Sequence, residues 1–190
     1  MPLRENTVMA LQFTTSYIED STAIFQQYKK LAERAMEQVS DEYLFRVLDP
    51  EMNCIGQIVK HLSGNMRSRW TDFLTSDGEK PDRNRDSEFV DPPTSRETML
   101  AMWQAGWQQL FDTLSSLSDQ DLARAVKIRG EAHSVVQAIN RQIAHTAYHC
   151  GQIVLLAKHF GSSNWQALTV PRGKSEEFNQ RVFSGQTSQR

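Results

Sequence analysis

Two histidines one helical turn apart, His145 and His149, and a third far upstream, His61, are the residues of this chain best suited to binding a metal. Residues i and i+4 of a helix share a face, with Cβ atoms about 5–6 Å apart, so both imidazoles can reach one ion. A third imidazole from another helix completes a set that leaves one coordination position open, as in catalytic rather than structural sites. We therefore predict one divalent metal ion bound by His61, His145 and His149.

The chemistry of such a site depends on the metal. Imidazole ligands suit zinc, nickel, iron or copper, and the sequence does not choose among them. Held by three neutral imidazoles, the ion can lower the pKa of a water or a thiol and supply a nucleophile near neutral pH. Thr146 follows the first histidine of the pair where a zinc peptidase has glutamate, which argues against a peptidase. The pattern identifies no general base. The alternative is that the histidine pair forms a solvated stripe or a satisfied polar group in the core.

Several polar residues lie within one turn of these histidines. Gln142, Gln152 and Asn65 are placed to orient an imidazole or a substrate, or else they are ordinary polar helix positions. Arg69 and Trp70 follow on the second helix and could line the mouth of a pocket, although the apolar stripe favours Trp70 as core. Other residues are predicted to have packing roles: Trp103, Trp107, Tyr148, Cys54 and Cys150.

Length and composition narrow the class of protein. The chain has 190 residues, a net charge of −2 and no long basic run, so a single domain without a nucleic-acid partner is expected. No apolar stretch is long enough to cross a bilayer, and the N-terminus lacks a signal-peptide core. Two cysteines without a metal-binding or redox spacing suit a cytoplasmic protein.

Helical periodicity dominates the chain and predicts four long helices, at about 8–39, 49–74, 94–117 and 134–160. Asp49 with Pro50 and a Thr94–Glu97 capping box are the predicted starts of the second and third helices. The Asp20–Ser21 step could bend the first. The fold class is therefore all-α, a four-helix bundle with long connections. We expect residues 1–183 to form one domain with its tail packed on the bundle, and residues 184–190 to be frayed.

Two connections carry further expectations. Residues 75–93 form a long polar loop that is either a mobile surface segment or part of the substrate pocket, folded back over the bundle by Phe89 and Val90. Its charge cluster at 79–88 is predicted to be solvated. Residues 125–130 could form a short extended segment.

The second-helix histidine, the His-x-x-x-His followed by Cys-Gly-Gln-Ile at 150–153, and the helix pattern resemble the DinB-like superfamily of metal-binding proteins. The stretches 64–70, 77–80 and 173–178 resemble a branch of that superfamily without a characterised function. The resemblance implies a four-helix bundle with one divalent metal held by His61, His145 and His149. Relatives in the superfamily include S-transferases and a maleylpyruvate isomerase that use low-molecular-weight thiols.

Two functions are therefore carried forward. The first is a metal-dependent enzyme, a thiol S-transferase or hydrolase-like protein, that activates a thiol or water for transfer to a small electrophilic substrate. The second is a non-catalytic bundle, stabilised by its metal, that acts as a stress-associated or interaction module. A homodimer is also expected, because apolar residues exceed what one bundle buries. These residues are Phe13, Tyr17, Ile24, Phe178 and Phe183.

Overall fold

The computed structural model describes residues 16–188 of the chain. The described residues fall in two compact units, 16–165 and 166–188. The predicted start of the first helix at residue 8, and Phe13, lie outside them.

Helices make up most of the first unit. Its elements, in chain order, are α1 (Tyr17–Met36), α2 (Asp41–Phe45), α3 (Ile55–Trp70), α4 (Arg96–Ser116), β1 (Ala125–Ile128), β2 (Glu131–Ser134) and α5 (Val135–Gly161). Single 3₁₀ turns lie at Asp86–Glu88, Asp119–Asp121 and Ser162–Asn164. The second unit holds one helix, α6 (Ser175–Phe183). The predicted all-α class is confirmed: the described residues form four long helices, shorter helical segments and one small hairpin.

The helix starts differ from the sequence prediction in two places. Helix α3 begins at Ile55 instead of near Asp49, because Cys54 and Gln57 form a reciprocal capping box. It ends at Trp70, four residues before the predicted end. Helix α4 is capped by Ser95, whose hydroxyl accepts from the backbone N–H of Thr98, instead of by the predicted Thr94 box. Helix α1 runs through the Asp20–Ser21 step that was expected to bend it.

The core lies between the long helices, with α3 packed mainly on α4 and α1 packed mainly on α5. Trp70, Trp103 and Trp107 are fully buried there, which confirms their predicted packing role. The edge of the Phe25 ring meets Trp107, with ring centroids 6.3 Å apart, so α1 closes onto α4. Because His61 lies on α3, the packing of α3 against α4 fixes the position of this histidine.

Gly106 permits the close approach of α4 to α3. A Cβ at this position would lie 2.9 Å from the Cα of Ser63, a backbone atom that cannot rotate away. Alanine gains about 1 kcal/mol of helix propensity over glycine, but overpacking against backbone costs about 1–3 kcal/mol. We therefore expect Gly106→Ala to lower the free energy of unfolding by about 1 kcal/mol net, measured in urea.

Gly151→Ala is the matched control, because a Cβ on this exposed α5 glycine would meet no heavy atom within 4 Å. In this variant only the helix propensity changes, so its free energy of unfolding is expected to rise by about 1 kcal/mol. If both substitutions changed the free energy of unfolding in the same direction, close helix packing at Gly106 would be contradicted.

The extended segment predicted at residues 125–130 is confirmed for residues 125–128, which form β1, whereas residues 129–130 form a turn. Strand β1 pairs antiparallel with β2 through a two-residue turn in which Arg129 and Gly130 have φ values of 56° and 79°. Positive φ at both central positions matches the twist of a hairpin. The carboxylate of Asp77 accepts the backbone N–H groups of Arg129 and Gly130, at 2.8 and 2.7 Å. The turn is thereby fastened to the loop that follows α3.

Within residues 16–188, no helix is long and apolar enough to cross a membrane. The homodimer expected from the sequence stays a prediction.

Candidate metal centre

The three predicted ligands converge in the first unit. His61 lies at the middle of α3, His145 and His149 lie one turn apart on α5, and one ring nitrogen from each falls within 4.8 Å of the other two. The Nε2 atoms of His61 and His145 are 3.0 Å apart. Four tetrahedral ligands at about 2.0–2.1 Å from zinc lie about 3.4 Å from one another, so nitrogens within 4.8 Å of one another would have to adjust to that spacing to share one ion.

His61 is oriented by a carboxylate from the long loop. Its Nδ1 lies 2.8 Å from Oε2 of Glu88, which is only 5% exposed. An ionised carboxylate only accepts hydrogen bonds, so Nδ1 carries a proton, and Nε2 is the nitrogen directed at His145. Burial alone would raise the pKa of Glu88, but hydrogen bonds from His61 and Arg83 outweigh it and lower that pKa.

His149 is oriented by an amide. Its Nδ1 donates to Oε1 of Gln152 at 2.7 Å, so its Nε2 is the free lone pair. The predicted orienting role of Gln152 is confirmed. Gln142 instead accepts from the indole N–H of Trp70 and donates to Thr146, so it supports the seam between α3 and α5 without bonding a histidine.

His145 is the least satisfied member of the set. Among the described residues, its buried Nδ1 has no hydrogen-bond partner. Burial, the two neighbouring histidines, Arg69 and Arg83 together lower the pKa of His145 to about 3. Burial and His61 lower the pKa of His149 to about 4, against the hydrogen bond with Gln152. Both imidazoles are therefore neutral at pH 7, which is the state that binds metal.

The long loop folds back onto the site, as the pocket interpretation predicted. Side chains of α3 hold it by its carbonyl groups: Gln57 donates to Phe89 O at 2.7 Å, and Lys60 donates to Ser87 O at 2.6 Å. The Phe89 ring lies against His61, with centroids 4.5 Å apart. The Val90 side chain is exposed and does not dock, although the Val90 carbonyl accepts a longer hydrogen bond from Gln57, at 3.4 Å.

The prediction that the charge cluster at 79–88 is solvated is wrong for two of its members. Glu88 is buried, and the guanidinium of Arg83 is buried beside it. Arg83 donates from Nε and Nη2 to both Glu88 oxygens at 2.9 Å, a bidentate pair. The loop therefore supplies a buried ion pair, and the carboxylate of that pair also bonds His61.

A cavity of about 260 Å³ opens beside His61 and His145. Its walls also carry Asn65, Gln142 and five arginines: Arg69, Arg83, Arg85, Arg129 and Arg141. The prediction that Arg69 lines a pocket is confirmed, whereas Trp70 is core. Asn65 is buried, faces the cavity and has no partner for its Oδ1 among the described residues.

Some of these residues had a signal in the sequence. Arg69 continues the line of His61 and Asn65 by one more turn of α3, and Arg141 stands one turn before His145 on α5. Extending each line of i, i+4 positions would have found both. Glu88, Arg83, Arg85 and Arg129 carry no such periodicity, because they come from the loop and the hairpin turn.

Three residues of these helices were predicted to pack: Cys54, Tyr148 and Cys150. Cys54 and Cys150 are buried, and burial raises the pKa of both thiols, that of Cys150 to about 12, so the prediction that they pack is confirmed. The prediction that Tyr148 packs is wrong: it is 63% exposed and accepts a hydrogen bond from Gln152.

The donor set fits a divalent metal. The Nδ1 atoms of His61 and His149 are held by Glu88 and Gln152, which leaves the two Nε2 atoms as the nitrogens for a metal. Metal-bound histidines ordinarily have this arrangement, in which the second ring nitrogen donates to a carboxylate or an amide. The three residues could therefore hold a metal ion.

The family of this chain is shown by comparison with known proteins. A search of curated proteins finds no significant match to this chain. A model of a family described as "Protein of unknown function (DUF1572)" matches residues 12–174, which span α1, α3, α4 and α5 and all three histidines. Because this match covers most of the chain, the protein belongs to the DUF1572 family.

Proposed function

We propose that the protein is a divalent-metal-dependent enzyme in which His61, His145 and His149 bind the metal and the adjoining cavity binds a small electrophilic substrate. The observation that carries this proposal is the convergence of three imidazoles beside a cavity that His61 and His145 line. A structural metal site is ordinarily closed by a fourth protein ligand. In the described residues, the group of metal-ligating side chains at this place consists of the three histidines alone.

A metal bound here would act as a Lewis acid that lowers the pKa of a coordinated thiol or water. The protein's own residues prepare this chemistry. Glu88 and Gln152 hold two imidazoles by Nδ1, so that Nε2 is the nitrogen left for the metal, and the cavity admits a small molecule beside them. The resemblance to thiol-dependent S-transferases favours a low-molecular-weight thiol as the second reactant. Zinc, nickel and iron are all consistent with imidazole ligands.

The non-catalytic alternative uses the same residues differently. A metal joining α3 to α5 would stabilise the bundle, because any ligand that binds only the folded state does so. The cavity argues against this role, since a structural ion needs no access for a second molecule.

Metal analysis followed by a thiol assay tests the proposal. We expect the freshly purified protein to carry close to one zinc, nickel or iron per chain. We expect the loaded protein to accelerate reaction of glutathione or cysteine with chlorodinitrobenzene, or hydrolysis of a small ester. EDTA should remove this activity, and the same metal should restore it. A tightly bound metal without turnover on any of these pairs would favour the structural role, and a protein that binds none of the three metals would refute both.

A further inference from the structure

The cavity beside the histidines has strongly positive walls. Its five arginines come from four parts of the chain: Arg69 from α3, Arg141 from α5, Arg83 and Arg85 from the loop, and Arg129 from the hairpin turn. No carboxylate from residues 16–188 lines it. The chain as a whole has a net charge of −2, so this concentration of guanidinium groups is local.

Two of the five arginines are neutralised and three are not. Arg83 pairs with Glu88 and Glu79, and Arg129 pairs with Glu79. Within residues 16–188, Arg69, Arg85 and Arg141 form no ion pair with a carboxylate. Arg85 instead lies over the ring of Phe89, 5.1 Å from its centroid. The cavity therefore has about three uncompensated positive charges.

Arg69 is the cavity arginine whose charge is buried away from water. It is 7% exposed, and its Nε has no acceptor among the described residues. Burial and the nearby positive charges of Arg141 and Arg83 lower the pKa of Arg69 to about 10, so it is still charged at pH 7. A buried charge without a partner is costly and is ordinarily paired or bound to a ligand.

We propose that this cavity binds the anionic group, a carboxylate or a phosphate, of a small organic substrate, with Arg69 and Arg141 as its principal partners. The inference rests on the proposed function, because the same cavity is bordered by His61 and His145. Guanidinium groups match carboxylate and phosphate oxygens in geometry as well as in charge. The anion would thereby orient the rest of the substrate towards the histidines.

The size of the cavity selects a small molecule over a polymer. Its volume of about 260 Å³ lies just below the range of about 300–1,000 Å³ typical of ligand pockets. Asn65, buried on the same wall with its Oδ1 unpartnered, can accept a hydrogen bond from a hydroxyl or amine of such a ligand. A small hydroxylated or amino-substituted acid, or a phosphate ester of similar size, meets both requirements.

Binding of simple anions to the whole protein tests the inference. Inorganic phosphate, succinate and neutral succinamide are titrated at constant ionic strength by calorimetry, with the metal-free and the zinc-loaded protein. We expect phosphate or succinate to bind and succinamide to bind at least about tenfold more weakly, because only the anions meet the guanidinium groups. The stronger of the two anions identifies the phosphate or the carboxylate class.

Variants assign the binding to the named residues. Arg69→Met keeps the apolar stem and removes the charge, and we expect it to raise the Kd of the anion at least about tenfold. Arg141→Gln changes an exposed α5 residue, so the fold is retained, and we expect a several-fold rise. Arg67→Gln is the matched control, an exposed α3 arginine paired with Asp82 outside this cavity, and the Kd should not change.

Equal Kd values in wild type and in both cavity variants would overturn the inference, as would succinamide binding as tightly as succinate or no binding of either anion. These outcomes are separable from failure of the proposed function. Metal binding without anion binding rejects the anion site alone. Arginine-dependent anion binding in a protein that binds no metal retains the anion site and rejects the metal enzyme.

Discussion

His149→Ala is expected to abolish tight metal binding. The variant removes one of three ligands. Losing only a residue that hydrogen-bonds a ligand typically lowers metal affinity 10–100-fold. Losing the ligand itself is therefore expected to lower metal affinity more than about 100-fold. Zinc at 100 times its Kd stabilises a folded protein by about 2.7 kcal/mol. The rise in Tm that zinc gives the wild type should therefore largely disappear in the variant.

The measurement compares melting with EDTA and with excess zinc for each protein, which removes any effect of the substitution on the metal-free fold. His159→Ala is the matched control, because His159 lies on the same helix but is exposed and outside the cluster of three. Its zinc-induced rise in Tm should equal that of the wild type. A full rise in His149→Ala would show that this imidazole is not a ligand.

Glu88→Ala is expected to destabilise the metal-free protein by about 3 kcal/mol. The substitution leaves the buried guanidinium of Arg83 with only Glu79, at 3.3 Å, and leaves His61 Nδ1 without its acceptor. Removing one partner of a buried ion pair costs about 3–5 kcal/mol, and the remaining Glu79 contact places this case at the lower end. The value is measured as the change in free energy of unfolding in urea.

The same variant should weaken metal binding by about 10–100-fold, because Glu88 orients one ligand without being a ligand itself. Glu88→Gln keeps the volume and one acceptor, so its losses should be smaller in both measurements. Asp86→Ala, an exposed acidic residue of the same 3₁₀ turn, is the control and should change stability by less than about 0.5 kcal/mol. A stable Glu88→Ala protein with unchanged metal affinity would contradict the orienting role.

The local part of the site was readable from the sequence. The spacing of His145 and His149 places two imidazoles on one helix face wherever that helix packs. His61 lies on the buried stripe of its own helix, and the buried stripes of a bundle face one shared core, where this histidine can meet the other two. Gln152 was also predictable, because its bond to His149 is contained within one helical turn.

The sequence offers two candidate N-caps for α3, and the local pattern favours the wrong one. Asp49 and Pro50 form a good start signal, but α3 begins at Ile55, where Cys54 and Gln57 cap each other. The side chain of Gln57 also holds the loop at Phe89 O, so the true cap is joined to a contact far along the chain. A local pattern does not show which of two caps has that additional partner.

The surroundings of the histidines were decided only by the tertiary structure. Glu88, Arg83 and Arg129 come from a loop and a hairpin turn, where no periodicity ties a side chain to a face. Their positions depend on hydrogen bonds to distant residues, as when Lys60 holds Ser87 O and Asp77 holds the turn at Gly130. The same charged residues would be solvated if the loop pointed outward. Helix geometry thus determines which histidines can meet, whereas long-range backbone contacts determine which carboxylate orients them and which arginines surround the cavity.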